Sequence, residues 1–415
     1  MAKIQAPKGT FDILPGEIEK WQHVEAVFRS TAASWGYQEI RTPIFERTEL
    51  FSRTSGDSSE IVTKQMYTFE DKGGRSMTLR PELTAPTVRA LLEGGDLQGR
   101  LPLRLLYAGP VFRYEQPQAG RFRQSHQFGL ELIGSPGTEA EAEIIELTAN
   151  IYRQTGVGEV KVRLNSLGDA ESRQRYAGEL LNFAADVLKE MPEDVQMRAA
   201  KNPLRLLDTK DPKVQERIRE APAIIEFWDE TTKTSFDRLC SILQQRGVDF
   251  DHDPAIVRGL DYYTGAVFEV HSSKLGAQSA LCGGGRYDHL IHELGGPPVP
   301  CVGVGMGIER LLMAADLKDT LVAPHLVVLA SESWSEELHS LASAIRATGA
   351  VCIEDFDSKN LRQALKRADK MNASTMIFLR EDGGVLVRDL ESGDQEEYGS
   401  LSDARANLVS REIKA

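Results

Sequence analysis

Residues 257–265 read Val-Arg-Gly-Leu-Asp-Tyr-Tyr-Thr-Gly. An arginine, an aspartate and two tyrosines bracketed by glycine exceed what a plain buried strand needs. Arg258 offers an anion site, because a planar guanidinium can bind two oxygens at once. Tyr263 sets a phenolic hydroxyl beside it. The window 109–131 is richer still, with Phe112-Arg113-Tyr114-Glu115, then Arg121-Phe122-Arg123, then Gln124-Ser125-His126-Gln127-Phe128-Gly129-Leu130-Glu131. On strands, side chains alternate faces. Arg113 and Glu115 then share one face, and Ser125, Gln127, Gly129 and Glu131 share one face of the next strand. His126, Phe128, Leu130 and Leu132 take the other. Such a hairpin offers an arginine, carboxylates and an amide over an apolar underside, which suits phosphate recognition; an exposed sheet laced with ion pairs is the plainer reading.

Three weaker windows add to these. Residues 301–310 run Cys-Val-Gly-Val-Gly-Met-Gly-Ile-Glu-Arg, and alternate glycines let a strand approach a ligand or another backbone closely. The G-x-G-x-G spacing is not the dinucleotide fingerprint, and it sits late in the chain without a following βαβ unit. Gly283-Gly284-Gly285-Arg286-Tyr287-Asp288 is a second glycine cluster that a tight turn would also explain. In Leu79-Arg80-Pro81-Glu82-Leu83-Thr84-Ala85-Pro86, Glu82 could hold an ammonium group or simply favour a helix start. His289 and His292 have the i,i+3 spacing of a metal pair but no evident third ligand, so no protein-only metal site is expected. Lys359, Arg362, Lys366, Arg367 and Lys370 could face phosphates or form a solvated charged surface.

These groups need a substantial frame, and 415 residues give enough chain for two or three domains. Hydrophobic content of 41% and charged content of 27% are ordinary for a globular protein. No apolar run is long enough to cross a bilayer, and residues 1–7 carry no signal core. Cys240, Cys282, Cys301 and Cys352 form no C-x-x-C and read as reduced thiols. A net charge of -13 argues against general nucleic-acid affinity but leaves room for a local basic surface. Ile18, Trp21, Val24, Phe28, Ala32 and Trp35 predict a helix over 17–35 that stops at Gly36. A strand over 38–44 carries Pro43, which fits an edge. Strands follow at 103–115 and 124–133, joined by a turn at 116–120. Residues 170–250 turn mostly helical, with Tyr176, Leu180, Phe183 and Val187 on one face and Phe236, Leu239 and Leu243 on another. Strands resume at 266–270 and 301–306, then a helix at 308–316. From residue 324, strands at 325–330, 350–353, 375–379 and 385–389 alternate with helices at 335–347 and 359–371, which predicts a small α/β domain.

Together these windows resemble the three motifs of class II aminoacyl-tRNA synthetases. The first is the long helix with Gly36-Tyr37-Gln38-Glu39-Ile40-Arg41-Thr42-Pro43, the second the Phe112–Glu115 hairpin, the third residues 303–310. The opening Pro7-Lys8-Gly9-Thr10-Phe11-Asp12-Ile13-Leu14-Pro15, the 258–263 signature and Gly285-Arg286-Tyr287-Asp288 narrow the resemblance to histidyl-tRNA synthetases, over essentially the whole chain. It implies an α+β fold, with an antiparallel catalytic sheet of six or seven strands flanked by helices. Its parts would be catalytic segments 1–168 and 253–320, a mostly helical insertion at 169–252 gripping the tRNA acceptor arm, and an anticodon-binding α/β domain at 325–415. A cytoplasmic homodimer joined through the first motif is implied, with no membrane association.

The implied reaction activates L-histidine with ATP, accompanied by Mg2+, and moves the histidyl group to tRNA(His). By resemblance, Arg113 and Arg258 grip the α-phosphate. Arg121 and Arg310 hold the outer phosphates, Arg310 also covers adenine, and Glu115 bonds the adenine amine. Glu82, Thr84 and Gln127 orient the histidine amino and carboxylate groups. Glu131 and Tyr263 read the imidazole, with Leu83, Tyr262 and Tyr287 lining the pocket. Lys359, Arg362 and Lys366 are the tRNA-facing candidates. Two positions depart from the family. Ser125 stands where a phenylalanine usually stacks on adenine, with Phe122 the nearest alternative ring, and Leu379-Arg380-Glu381 replaces a common Gly-Glu turn. The alternative is a catalytically inactive synthetase-like regulatory subunit of ATP phosphoribosyltransferase, though such proteins tend to lose the C-terminal domain and the Arg258 signature.

Overall fold

The computed structural model describes residues 3–410 apart from 56–60, 96, 98, 116–119, 121, 210, 258–261, 277, 278 and 318–324. Arg121 and Arg258 thus lie outside the described residues. The chain divides into two compact units, Met1–Asp319 and Thr320–Ala415.

In the first unit the strands are β1 (Gln38–Glu39), β2 (Phe45–Arg47), β3 (Tyr67–Glu70), β4 (Ser76–Leu79), β5 (Leu103–Phe112), β6 (Gln124–Ile133), β7 (Lys161–Ser166), β8 (Phe250–His252), β9 (Ala266–His271), β10 (Ala280–Arg286) and β11 (Cys301–Gly307). Eight of them form one sheet in the order β1-β5-β6-β11-β10-β9-β7-β8. The six central strands are antiparallel, and β1 and β8 each add a parallel pairing at an edge. Among the described residues the antiparallel part has six strands, within the six or seven implied, and the two parallel edge strands bring the sheet to eight. The expected 38–44 strand shrinks to Gln38–Glu39, at the edge of the sheet. β2, β4 and β3 make a small separate sheet.

The apolar face of the large sheet packs on the Ile18–Ser34 and Thr138–Gln154 helices. In the first, Trp21, Val24, Phe28 and Ala32 are buried, as the three- and four-residue spacing demands, and Gly36 ends the helix at φ +84°. Phe28 stacks on Phe128 of β6, with ring centroids 4.2 Å apart and planes within 7°. Leu130, Leu132, Val302, Val304 and Met306 complete that core. Tyr176, Leu180, Phe236, Leu239 and Leu243 of the helical stretch join the same core. The stretch over 170–250 is mostly helical and shares its apolar interior with the sheet. Its Ala170–Phe183 helix is capped by Asp169, whose carboxylate accepts from the Ser172 amide at 2.8 Å.

The second unit has strands β12 (Leu326–Ser331), β13 (Val351–Asp355), β14 (Thr375–Leu379), β15 (Val385–Asp389) and β16 (Gln395–Tyr398) in the order β13-β12-β14-β15-β16. β12 pairs in parallel with β13 and β14, and the last three strands are antiparallel. The basic helix spans Leu361–Lys370. Asn360 caps it, which leaves Lys359 before the first turn. Arg367 turns to Asp355 and Asp357, at 3.3 and 2.8 Å. Arg362 and Lys366 remain one turn apart on the helix. At the departing turn, Arg380 pairs with Glu397 at 3.0 Å, and the Glu381 amide donates to Glu332.

Candidate active site

The polar face of the large sheet is floored by glycine. Gly303, Gly305 and Gly307 of β11 lie opposite Glu131, Gly129 and Gln127 of β6. Gly129 and Gln127 in turn face Tyr107 and Gly109 of β5. Gly285 and Gly283 of β10 lie opposite Gly303 and Gly305. Facing residues of paired strands project to the same side, so side chains that stand on this floor meet over the glycines.

What fills each glycine's missing side chain maps the site. A Cβ on Gly303 would sit 1.8 Å from Glu131 Oε2, and one on Gly129 would sit 2.1 Å from the Tyr107 ring. A Cβ on Gly285 would sit 2.6 Å from the Ala266 carbonyl oxygen and 2.9 Å from Tyr263 Cδ1. Gly307 is covered by Arg310, whose Cγ and Cδ would be 3.6 Å away. Above Gly305 the nearest atom is Gln127 Oε1 at 3.9 Å. One row of alternate residues on β11 therefore runs from Glu131 through an open place to Arg310. At roughly 3.4 Å per residue the row spans about 13 Å.

Glu131 is the chemical centre of one end. Its exposure is 1%, and it accepts from Thr84 Oγ1 at 2.8 Å, Tyr107 Oη at 2.8 Å and Tyr287 Oη at 2.5 Å. Burial pushes its carboxyl up to about 7, while the hydroxyls of Tyr287, Thr84 and Tyr107 pull the other way. Burial likewise raises the phenols of Tyr107 and Tyr287, so both stay protonated and donate. Tyr262 packs between Tyr263 and Tyr287, with centroids 4.8 and 5.6 Å away. A carboxylate in this setting can accept one further N–H from a ligand.

Glu82 lies next to this cluster. Its carboxylate accepts the amides of Thr84 at 2.5 Å and Ala85 at 2.9 Å, so it anchors the start of the Thr84–Gly94 helix. Each oxygen keeps a second lone pair. Burial raises its pKa, countered by those two amides and then by the charge of Arg113. Leu83, between them, is buried against Tyr107 and Val111.

Arg113 and Glu115 do not share a strand face, because β5 ends at Phe112. The chain turns there, with the Glu115 amide donating to the Arg113 carbonyl at 2.8 Å. Arg113 Nε donates to the Pro81 carbonyl at 2.7 Å, which sets its guanidinium beside Glu82. Arg310 Nε donates to the Ala280 carbonyl at 2.7 Å. Ser125 faces Val111 across the hairpin. Phe122 is committed elsewhere, 4.7 Å from the Phe11 ring, so it is no substitute for a ring at Ser125. His292 Nδ1 approaches the Gly296 carbonyl at 3.3 Å, and His289 precedes the short Leu290–Glu293 helix.

Sequence reasoning missed three supports. Tyr107 supplies one of the hydroxyls on Glu131, and its signal was its place opposite Gly129. Arg80, 4% exposed, donates to the Pro110, Thr42 and Pro43 carbonyls at 2.8, 2.7 and 3.2 Å. It pins the strand end from which Pro81 holds Arg113. Glu309 accepts from the His126 amide at 2.9 Å and meets its ring nitrogen at 2.9 Å, tying the Ile308–Ala314 helix to β6.

A family profile described as histidyl-tRNA synthetase matches residues 9–311. The histidine–tRNA ligase of Anoxybacillus flavithermus is 43% identical over 407 residues, covering 95% of this chain and 96% of its own length. The chain belongs to the histidyl-tRNA synthetase family. Among solved structures, apo histidyl-tRNA synthetase of S. aureus is similar with a TM-score of 0.79 and 32% identity, over 98% of this chain and 100% of that one. A Bacillus halodurans C protein described as an ATP phosphoribosyltransferase regulatory subunit/histidyl-tRNA synthetase has a TM-score of 0.68 and 25% identity, over 92% and 99%. The family explains why one sheet face carries both a buried carboxylate and a row of glycines.

Proposed function

We propose that this chain is a histidine–tRNA ligase that forms histidyl-adenylate from L-histidine and ATP and passes the histidyl group to tRNA(His). The observation that carries this reading is Glu131, buried under three hydroxyls beside Tyr263 and in line with Arg310 across an open glycine floor. The imidazole N–H of histidine donates to Glu131, and Tyr263 meets the other side of the ring. A side chain lacking that donor strands a buried acceptor, which is how a polar pocket rejects near-isosteres. Tyr287, Tyr262 and Leu83 wall the pocket. Glu82, Thr84 and Gln127 orient the ammonium and carboxylate.

ATP, accompanied by magnesium, lies over Gly305 and reaches toward Arg310. Its adenine amine meets Glu115, and Arg310 and Arg121 take the outer phosphates. The histidine carboxylate attacks the α-phosphorus and pyrophosphate leaves. Charge builds on the phosphate oxygens, and fixed cations stabilise it most where water is excluded. Arg113 and Arg258 have that role. The second unit, with Arg362 and Lys366, and Lys359 just before its helix, contacts the tRNA anticodon. The enzyme works as a cytoplasmic homodimer.

Ser125 leaves adenine without its usual ring, so ATP binds with a raised KM and unaltered chemistry. The regulatory-subunit reading is disfavoured by the retained C-terminal unit and the Arg258 signature. Charging of a tRNA(His) transcript with labelled histidine tests the proposal. Saturable charging dependent on ATP supports it, and folded protein that charges no tRNA with histidine overturns it.

A further inference from the structure

Residues 254–257 and 262–265, the latter carrying Tyr262 and Tyr263, are both held by one short stretch, residues 165–173. Asn165, the fully buried penultimate residue of β7, donates Nδ2 to the carbonyls of Pro254 at 3.2 Å and Ile256 at 3.0 Å. The Leu167 amide donates to the Gly265 carbonyl at 2.9 Å. From the Ala170–Phe183 helix, Arg173 Nη1 donates to the Tyr263 carbonyl at 2.8 Å. The stretch is itself fixed: Asp169 caps the helix, and the buried Trp228 indole donates to the Ser166 carbonyl at 3.2 Å. On the far side, the Thr264 amide donates to the Arg286 carbonyl at 2.9 Å. The Tyr263 backbone is therefore set between the helix and β10, and that setting lays its ring over Gly285, one strand from Glu131.

We infer that Arg173 is a positioning residue for amino-acid recognition: it fixes the Tyr263 main chain, and through it the phenol that faces the substrate ring opposite Glu131. The inference rests on the histidine-ligase reading and adds a residue outside the pocket. Arg173 touches no substrate. Its guanidinium acts on the backbone, ninety positions along the chain, that aims the tyrosine. Because a single N–H carries the contact, a lysine reaching the same carbonyl keeps most of the effect. Asn165 has the companion role at the other end of the segment, but it is wholly buried and its loss threatens folding, so Arg173 is the better probe.

The test compares Arg173→Ala, Arg173→Lys and Arg175→Ala in ATP–pyrophosphate exchange, titrating histidine and ATP separately. Arg175 is two residues along the same helix, and its Nη2 donates to the Phe227 carbonyl at 2.6 Å, within the helical stretch. It therefore controls for general loosening of that helix. Arg173→Ala is expected to raise the histidine KM about tenfold, the size of one lost hydrogen bond to a charged group, with the ATP KM within twofold. Arg173→Lys recovers most of that loss, and Arg175→Ala keeps both constants. Equal effects on the two substrates, no recovery by lysine, or an Arg175→Ala that matches Arg173→Ala would overturn the inference. Active wild-type protein with an unchanged histidine KM in Arg173→Ala overturns this inference alone. Wild-type protein without histidine-dependent exchange overturns the ligase reading and this inference with it.

Discussion

Replacing Gly303 by alanine probes the recognition end with one methyl group. That Cβ would lie 1.8 Å from Glu131 Oε2, 2.7 Å from its carboxyl carbon and 2.9 Å from the Leu130 carbonyl oxygen. Ordinary contact begins near 3.4 Å. The carboxylate must retreat by roughly 1.5 Å, since the Leu130 backbone is locked in the pairing of β6 with β11. A shift of that size breaks the bond from Tyr287 and stretches those from Thr84 and Tyr107. Hydrogen bonds to charged groups contribute about 1.5–3 kcal/mol each, so losing one or two costs about 1.5–6 kcal/mol, shared between stability and recognition. The histidine KM should rise about thirtyfold or more, with the ATP KM within about threefold. The assay is ATP–pyrophosphate exchange alongside thermal unfolding. A folded Gly303→Ala protein with wild-type histidine KM would refute the placement of Glu131 in the substrate pocket.

Gly305→Ala should behave differently. Its methyl meets nothing closer than 3.9 Å, so thermal stability should hold while adenylate formation falls at least tenfold, because the space belongs to substrate; unchanged exchange would argue against that. The Glu131 carboxyl titrates near 4.5 ordinarily and about 7 when buried here. Between those values the folded protein keeps a proton that the unfolded chain has released, so this group lowers stability as pH rises from about 4.5 to 7 and adds no further loss above. Ionised Glu131 is the better acceptor, so the histidine KM should fall as pH rises through 7, and Glu131→Gln should flatten that dependence and raise KM. A pH profile unaltered in Glu131→Gln would contradict this. Ser125→Phe should lower the ATP KM several-fold through base stacking; a near-normal wild-type ATP KM that the change fails to improve would count against it.

Much of the site was legible because strand alternation is a strong constraint. Gln127, Gly129 and Glu131 had to share a face once the strand was recognised, and His126, Phe128 and Leu130 had to take the other. Arg113 and Glu115 escaped that rule because the chain leaves the sheet at Phe112, and no local pattern marks where a strand stops. Tyr107 escaped because its role depends on which residue lies across the hairpin, a matter of register rather than of its own neighbourhood. Arg173 and Tyr263 are joined across ninety positions, beyond any spacing argument. The basic helix was found, but Lys359 fell before its cap and Arg367 was taken by Asp355 and Asp357. Charge alone did not say which cations would remain turned outward. The alternate glycines allow close approach, but Gly303, Gly129 and Gly285 give their space to Glu131, Tyr107 and Tyr263 instead of to a ligand.

The most direct test is ATP–pyrophosphate exchange by purified protein with each amino acid in turn, in wild type and in Arg258→Ala. Exchange is expected with histidine alone, reduced at least about a hundredfold in the variant, as when a fixed cation is removed from a developing charge. Absence of exchange with every amino acid, from folded protein, would contradict the ligase reading.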